Sequence, residues 1–511
     1  MSDTPLSVAH VASEMTPLIK IGGLADVVGA LAAEQARRGH RVTVALPAYQ
    51  AVSLPAGWSS RALDSRPVPW GMGRELARFA LASGPDPRLR VLLVDHAGDR
   101  SFFDRPGIYD DPRSGEGYPD NAERFLFFCR AALEGLKLLK ERFDVLHGHD
   151  HQAAWTMCFV RTHELHTPTF KDLATVFTIH NLGYQGIYDP WVLGLAGLGG
   201  ELFYPASPFE YWGRVNYMKV GLVFADLLST VSPRYAQEIQ TGGEFGAGLE
   251  GVLARRAGDL RGILNGIDDA YWDPAADPYL AHRYGPDRME GKELNRRALI
   301  KECGFPSAPE MPLVGMVSRL AEQKGFDLIE QGADALLALG ARYVVLGSGE
   351  ARYQDLFRRL MAAHPDRVHY RSGFDERFAH LIEAGCDLFL MPSRYEPCGL
   401  NQMYSLRYGT PPIVRAVGGL ADTVQEFDPL TGAGNGFVFQ RFDAEEMLAA
   451  VRRGLATCRQ PGLCARLRRN GMGQDFSWRR SVDRYDALYG EARERVAAGR
   501  IATLESVRAT I

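Results

Sequence analysis

Short apolar and β-branched runs alternate with amphipathic stretches along the whole chain, the pattern of parallel strands wrapped by helices. The run Ser7–Ala12 predicts a first strand, a helix follows from about Asp26 to Arg38 with Gly39 closing it as the C′ residue, and Arg41–Leu46 begins the next strand. Further strands are predicted at Arg90–Val94, Val145–His147, Thr175–Ile179 and Leu227–Val231; the last runs into Ser232-Pro233, an N-cap followed by an N1 proline. A second series starts at Leu313–Val317 and continues through Tyr343–Leu346, Leu388–Met391 and Pro412–Val414, each followed by a helical pattern. Both halves therefore predict doubly wound α/β sheets, and two such domains imply a cleft. The turn-rich Gly262–Asp268 and the Pro-containing Trp272–Pro278 place the connection between them, giving domains at 1–260 and 261–477 and a C-terminal stretch at 478–511.

Composition narrows the classes of function. At 511 residues the chain is long enough for two to four domains, and 46% apolar against 23% charged residues is a globular balance. A net charge of −4 lacks the basic excess that phosphate backbones demand, which argues against a nucleic-acid partner. Seven cysteines without paired spacing argue against a disulfide framework or a zinc site and point to reducing cytosol. The N-terminus has neither a basic segment nor a long apolar one and no stretch reaches membrane-spanning length, so a cytoplasmic protein with no membrane partner is expected.

Five segments at predicted strand exits carry candidate chemistry. Lys20-Ile21-Gly22-Gly23 would bring backbone N–H groups, a helix N-terminus and a full positive charge to a phosphate; taken alone, a tight turn with a solvated lysine is the favoured reading, and context has to decide. Arg319 and Lys324 follow the Leu313–Val317 run, where cations could neutralise a diphosphate leaving group or merely pair at the surface. Glu396 to Leu400 follows the Leu388–Met391 run: Glu396 can accept sugar hydroxyls or support positive charge at an anomeric carbon, and Gly399 and Leu400 offer amides to phosphate. Cys398 has no cationic or histidine neighbour to activate it, which favours packing over nucleophilic attack. His147-Gly148-His149-Asp150-His151 and Thr178–Gly186, with His180, complete the set. A metal reading of the histidines is weaker than a substrate-orienting one, because Gln152-Ala153-Ala154 looks helical and no carboxylate cluster accompanies them. Gly22–Val28 is echoed at Gly418–Val424, either by duplication or as two uses of one βα turn. Tyr211-Trp212 and Tyr217 could line a sugar path, with core packing the stronger reading.

Taken together, the Lys20 loop, His180-Asn181-Leu182, Asn265-Gly266-Ile267-Asp268, Arg319 with Lys324-Gly325, Glu396–Leu400 and Arg407–Thr410 resemble the bacterial glycogen synthase and plant starch synthase family of retaining glycosyltransferases, over nearly the whole chain. The resemblance implies a GT-B fold, two Rossmann-like domains facing an interdomain cleft, with C-terminal helices after Trp478 crossing back to the first. It implies transfer of glucose from ADP-glucose, bound mainly by the second domain, to the 4-hydroxyl at the non-reducing end of glycogen or another α-1,4-glucan, with retention and without a metal or other cofactor. A front-face ion pair and a covalent intermediate both satisfy retention. Residue by residue, Glu396, His180 and Asp150 would be catalytic. The donor would be held by Lys20, Gly22, Gly23, Asn265, Arg319, Lys324, Phe374, Cys398, Gly399, Leu400, Gly418 and Gly419. Phe374 would stack on the base, with burial in the core the competing reading. Ile21, Ala25, His151 and Gln152 depart from the family pattern, and Tyr404 stands where the wider superfamily often has Glu. Alternatives are a GT-B enzyme using UDP-glucose or a small acceptor and a catalytically silent glucan-binding regulator; oligomeric state is not encoded legibly.

Overall fold

The computed structural model describes residues 5–308 and 310–501. The chain divides into two compact units. One takes the chain up to Val231, Ala236–Ile263 and the segment from Trp478; the other takes Ser232–Tyr235 and Leu264–Ser477. Residues 502–511 of the C-terminal stretch lie outside the described residues.

The first unit is built on a nine-stranded sheet in the order Leu260–Gly262, Leu227–Thr230, Ala174–Ile179, Val145–His149, Ser7–Val11, Arg41–Pro47, Leu89–His96, Gly73–Ser83 and Ser59–Trp70. The first seven run parallel, and the last two form an antiparallel edge hairpin. Central strands such as Ser7–Val11 and Ala174–Ile179 are buried throughout, as expected when helices cover both faces. The hairpin's outer strand is mostly exposed and carries two prolines, features of an edge, and it escaped the periodicity reading.

The helix after the first strand begins at Gly23, three residues before the expected Asp26, and runs to Arg37. It ends as predicted on Gly39, at φ +100°, where Gly39 N donates to Ala36 O (2.9 Å) and His40 N to Gln35 O (3.1 Å), the paired bonds of a Schellman motif. The helix Pro233–Glu238 is capped by Ser232, whose Oγ accepts from Tyr235 N at 3.0 Å. Among the described residues after Ser477 there is a single helix, Trp478–Ala497. Its Trp478, Val482, Tyr485 and Tyr489 pack on Val8, Val27, Leu31 and Val176, so chain from both ends closes one core.

The second unit holds a six-stranded parallel sheet in the order Val368–Arg371, Arg342–Leu346, Leu313–Val317, Leu388–Met391, Pro412–Arg415 and Phe437–Phe439. Apolar clusters cover both of its faces. In each sheet the earliest strand lies centrally and the chain winds outward first one way and then the other. The strand order thus reverses beside Ser7–Val11 and beside Leu313–Val317, the positions where open α/β sheets bind ligands at their carboxyl ends.

Candidate active site

In the first unit the switch point lies between Ser7–Val11 and Val145–His149, which pair in parallel with His10 opposite His147. The Lys20 loop follows the first of these strands. Its Lys20 Nζ lies 2.8 Å from Asp26 Oδ2, and the ammonium remains half exposed. The amides of Ile21 and Gly22 donate to Glu14 Oε2 at 2.5 and 2.9 Å, while Tyr109 Oη donates to Glu14 Oε1 at 2.5 Å. A carboxylate of the chain itself therefore holds the Gly22 amide, one of the pair that the two glycines offered to a phosphate, together with the amide of Ile21. Gly22 adopts an ordinary extended conformation (φ −138°), and a Cβ there would meet nothing within 4 Å. Neither strain nor packing calls for glycine at this position.

Asp150 opens the helix Asp150–Thr162 directly after the second strand, in the left-handed region at φ +56°, which costs a non-glycine residue energy and recurs at functional sites. Its Oδ1 accepts from His180 N at 2.7 Å and Asn181 N at 3.4 Å, pinning the exit of Ala174–Ile179. Burial pushes this carboxyl up to about 7, with the two amide bonds pulling the other way. His180 is buried, which drives its imidazole down to about 3 and keeps it neutral. Its Nε2 lies 2.9 Å from His149 Nδ1, and its Nδ1 has no hydrogen-bond partner among the described residues. His10, His147 and His149 bring ring nitrogens within 4.8 Å of one another, but each of their nitrogens is already hydrogen-bonded. Tyr217 belongs to the core, whereas Trp212 is exposed at a tight turn.

In the second unit the loops leaving Leu313–Val317 and Leu388–Met391 lie against each other. Lys324 Nζ meets Glu396 Oε2 at 2.6 Å, and Ser393 Oγ donates to the same oxygen at 3.0 Å. Arg394 N donates to Gln323 O, and Asn401 Nδ2 to Val317 O. Gly325 makes this approach possible: it sits at φ +76°, and a Cβ would stand 1.9 Å from Pro392 O. Glu396 is buried and the Lys324 side chain nearly so, and removing one member of such a pair costs about 3–5 kcal/mol by stranding the other charge. Arg319 is exposed one residue beyond Ser318 on the same loop.

The second glycine pair does different work from the first. Gly418 sits at φ +43° with its would-be Cβ 1.8 Å from Glu396 O, and that of Gly419 would lie 2.0 Å from Cys398 O. Gly419 N donates to Glu396 O and Pro397 O, both at 3.2 Å. These glycines press one backbone onto the segment that carries Glu396. Cys398 is buried and its thiol is pushed up to about 12 by desolvation, an inert state consistent with packing; Asn265 hydrogen-bonds to it. Gly399 takes φ +72°, and Leu400 caps the helix Asn401–Arg407. Tyr404 stacks flat on Trp272, centroids 3.9 Å apart. Phe374 is 82% exposed on the loop after Val368–Arg371, so the core reading of this ring fails. Glu14, His10 and Gln35 were not singled out by sequence: they sit in a loop, a strand and a helix without a motif.

Two doubly wound units each carry charged loops at the switch point of their sheet. Comparison with known proteins supplies the assignment. The family described as the starch synthase catalytic domain matches residues 7–255, and glycosyl transferases group 1 matches 304–472. The chain is 44% identical to a glycogen synthase of Koribacter versatilis, covering 96% of this chain and 99% of that one. It is 46% identical to one of Anaeromyxobacter dehalogenans, covering 95% and 99%. Among solved structures, the catalytic domain of starch synthase IV from Arabidopsis thaliana, bound to ADP and acarbose, superposes with a TM-score of 0.87 at 35% identity over 96% of this chain and all of that one. Sucrose-phosphate synthase from Thermosynechococcus elongatus shares the fold at 18% identity and a TM-score of 0.58, over 95% of this chain and 98% of that one. The chain belongs to the glycogen synthase and starch synthase family.

Proposed function

We propose that this enzyme lengthens an α-1,4-glucan in the cytoplasm by moving glucose from ADP-glucose to the 4-hydroxyl at the non-reducing end, with retention of configuration. The observation that carries the reading is the Lys324–Glu396 pair at the switch point of the second sheet, in a chain whose full-length relatives are glycogen synthases. The bond from the anomeric carbon to the diphosphate oxygen breaks, and its electron pair leaves with ADP. The acceptor 4-hydroxyl oxygen bonds to the same face of that carbon, and its proton passes to the departing phosphate oxygen.

Arg319 and Lys324 meet the charge that grows on the diphosphate, where fixed cations act most strongly on a transition state, and Lys20 binds the donor's diphosphate already in the ground state. The Gly399 and Leu400 amides add neutral donors. Glu396 supports positive charge on the sugar, and His180 accepts from a sugar hydroxyl; Asp150 holds His180 by its backbone. The open space beside Gly22 is room for the donor, with Gly23 starting the helix behind it, and Glu14 on the loop amides leaves Lys20 as that loop's phosphate contact. Gly418, Gly419, Asn265 and Cys398 shape the Glu396 segment. Exposure of Phe374 supports stacking on the base, and the ADP bound by the Arabidopsis relative favours adenine. Among the described residues no helix is long and apolar enough to cross a membrane.

The test is incubation with glycogen and either ADP-glucose or UDP-glucose, following the nucleotide released and glucan chain length. ADP release with chain growth is expected. Transfer from UDP-glucose alone overturns the donor assignment, and transfer from neither overturns the function.

A further inference from the structure

The imidazoles of the first unit form a chain whose protons are interlocked. Gln35 Oε1 lies 2.8 Å from His10 Nε2, His10 Nδ1 lies 2.9 Å from His149 Nε2, and His149 Nδ1 lies 2.9 Å from His180 Nε2. Gln35 is held from behind: its Nε2 donates to Tyr489 Oη at 3.1 Å, and that hydroxyl lies 2.7 Å from His147 Nδ1. His147 Nε2 continues to Thr178 Oγ1, which meets Ser229 Oγ. All three rings of the chain are buried, and burial drives His10 down to about 4, His180 to about 3 and His149 well below the ordinary histidine value. Each ring is therefore neutral at working pH and carries one proton.

The order of protons then follows from one end. A carbonyl oxygen only accepts, so His10 holds its proton on Nε2 and presents a lone pair at Nδ1. His149 must donate from Nε2 and accept at Nδ1, and His180 must donate from Nε2. The Nδ1 of His180, left without a partner among the described residues in a buried side chain, is consequently a bare acceptor.

We propose that Gln35, oriented by Tyr489, is a positioning residue that sets the tautomer of His180 through His10 and His149, so that His180 donates from Nε2 to His149 and offers a sugar hydroxyl a lone pair at Nδ1, never an N–H. This kinship of groups resembles the outer-shell partners that fix tautomers of metal-bound histidines, with a sugar hydroxyl in place of the ion. It rests on the reading of His180 as a donor-sugar contact only for its kinetic consequence; the proton order stands by itself.

Nitrogen-15 NMR of histidine-labelled wild-type enzyme, with His180 assigned by its loss in His180→Ala, tests the proton order. A proton on Nε2 and none on Nδ1 is expected. A proton on Nδ1, or a stoichiometric metal ion found in the histidine cluster by elemental analysis, overturns the proposal. Gln35→Leu removes the acceptor and should let His180 sample both tautomers, lowering kcat about tenfold at unchanged glucan KM. Gln35→Glu restores an acceptor to His10 and should restore the tautomer and most of kcat. A Gln35→Leu enzyme with the wild-type tautomer overturns the relay; a changed tautomer at wild-type kcat leaves the relay standing and overturns the role of His180. Should Gln35→Leu fold poorly, the wild-type spectrum and Gln35→Glu decide.

Discussion

Asp150→Asn separates the cost of a buried carboxylate from its use. In the folded protein the Asp150 carboxyl is 8% exposed, accepts two amides and is raised from 3.8 to about 7, chiefly by burial. Between those values the native state keeps a proton that the unfolded chain has released, so stability falls as pH rises through the window and stays lower above it. At about 1.4 kcal/mol per pH unit the whole window amounts to about 4 kcal/mol, of which about 2–3 kcal/mol falls between pH 5 and pH 8. Asparagine keeps an Oδ1 for both amides, carries no charge and tolerates φ +56° better than most residues. Urea unfolding of wild type and variant at both pH values measures the effect, and the buried histidines, common to both, cancel in the difference. The variant should gain about 2–3 kcal/mol on wild type between pH 5 and pH 8 while keeping most of its transferase activity, since Asn holds the same two amides. A difference independent of pH would refute the argument from burial, and loss of activity would show that Asp150 does more than hold the backbone at His180.

Other substitutions test the remaining roles. Glu396→Gln and His180→Ala should each lower kcat by about 10²–10³, because both groups act on charge or contacts of the transition state; wild-type rates would refute the assignment. Lys20→Ala should raise donor KM about tenfold with a smaller effect on kcat, a change in one phosphate contact, and an unaltered KM would exclude the lysine from donor binding. The two glycine loops should answer alanine in opposite ways. Gly22→Ala meets open space and should stay within about 0.5 kcal/mol of wild-type stability while raising donor KM. Gly419→Ala drives a methyl into Cys398 O and should cost about 3 kcal/mol, seen as a lowered Tm; equal stability losses in the two variants would contradict this division of labour.

The parallel strands were legible in the chain because burial on both faces writes them as unbroken apolar runs. The edge hairpin was not, since a strand with one solvated face and two prolines carries little of that signal. Lys324 and Glu396 were each visible as charges at strand exits, but their pairing depends on Gly325 passing under Pro392, a contact that linear spacing does not encode. The histidine chain was hidden for the same reason: Gln35, His10 and His149 meet across 25 and 139 positions of sequence. Phe374 shows the limit of type and pattern, because an aromatic after glycine reads alike whether it packs inward or, as here, stands in solvent.

Closure of the first unit's core by Trp478–Ala497 bears on how the protein is made. On the ribosome, everything up to Ile263 is synthesised while the apolar face around Val8, Val27 and Val176 still lacks its cover. The stretch from there to the end of Trp478–Ala497 takes roughly 10–50 s at about 5–20 residues per second. During that interval the uncovered face is an opening for chaperones or for misassociation, and Leu264–Ser477, nearly continuous in sequence, can complete its own core first. The helix Trp478–Ala497 also carries Tyr489, which orients Gln35, so the nascent chain gains its ordered histidines only after that helix has emerged.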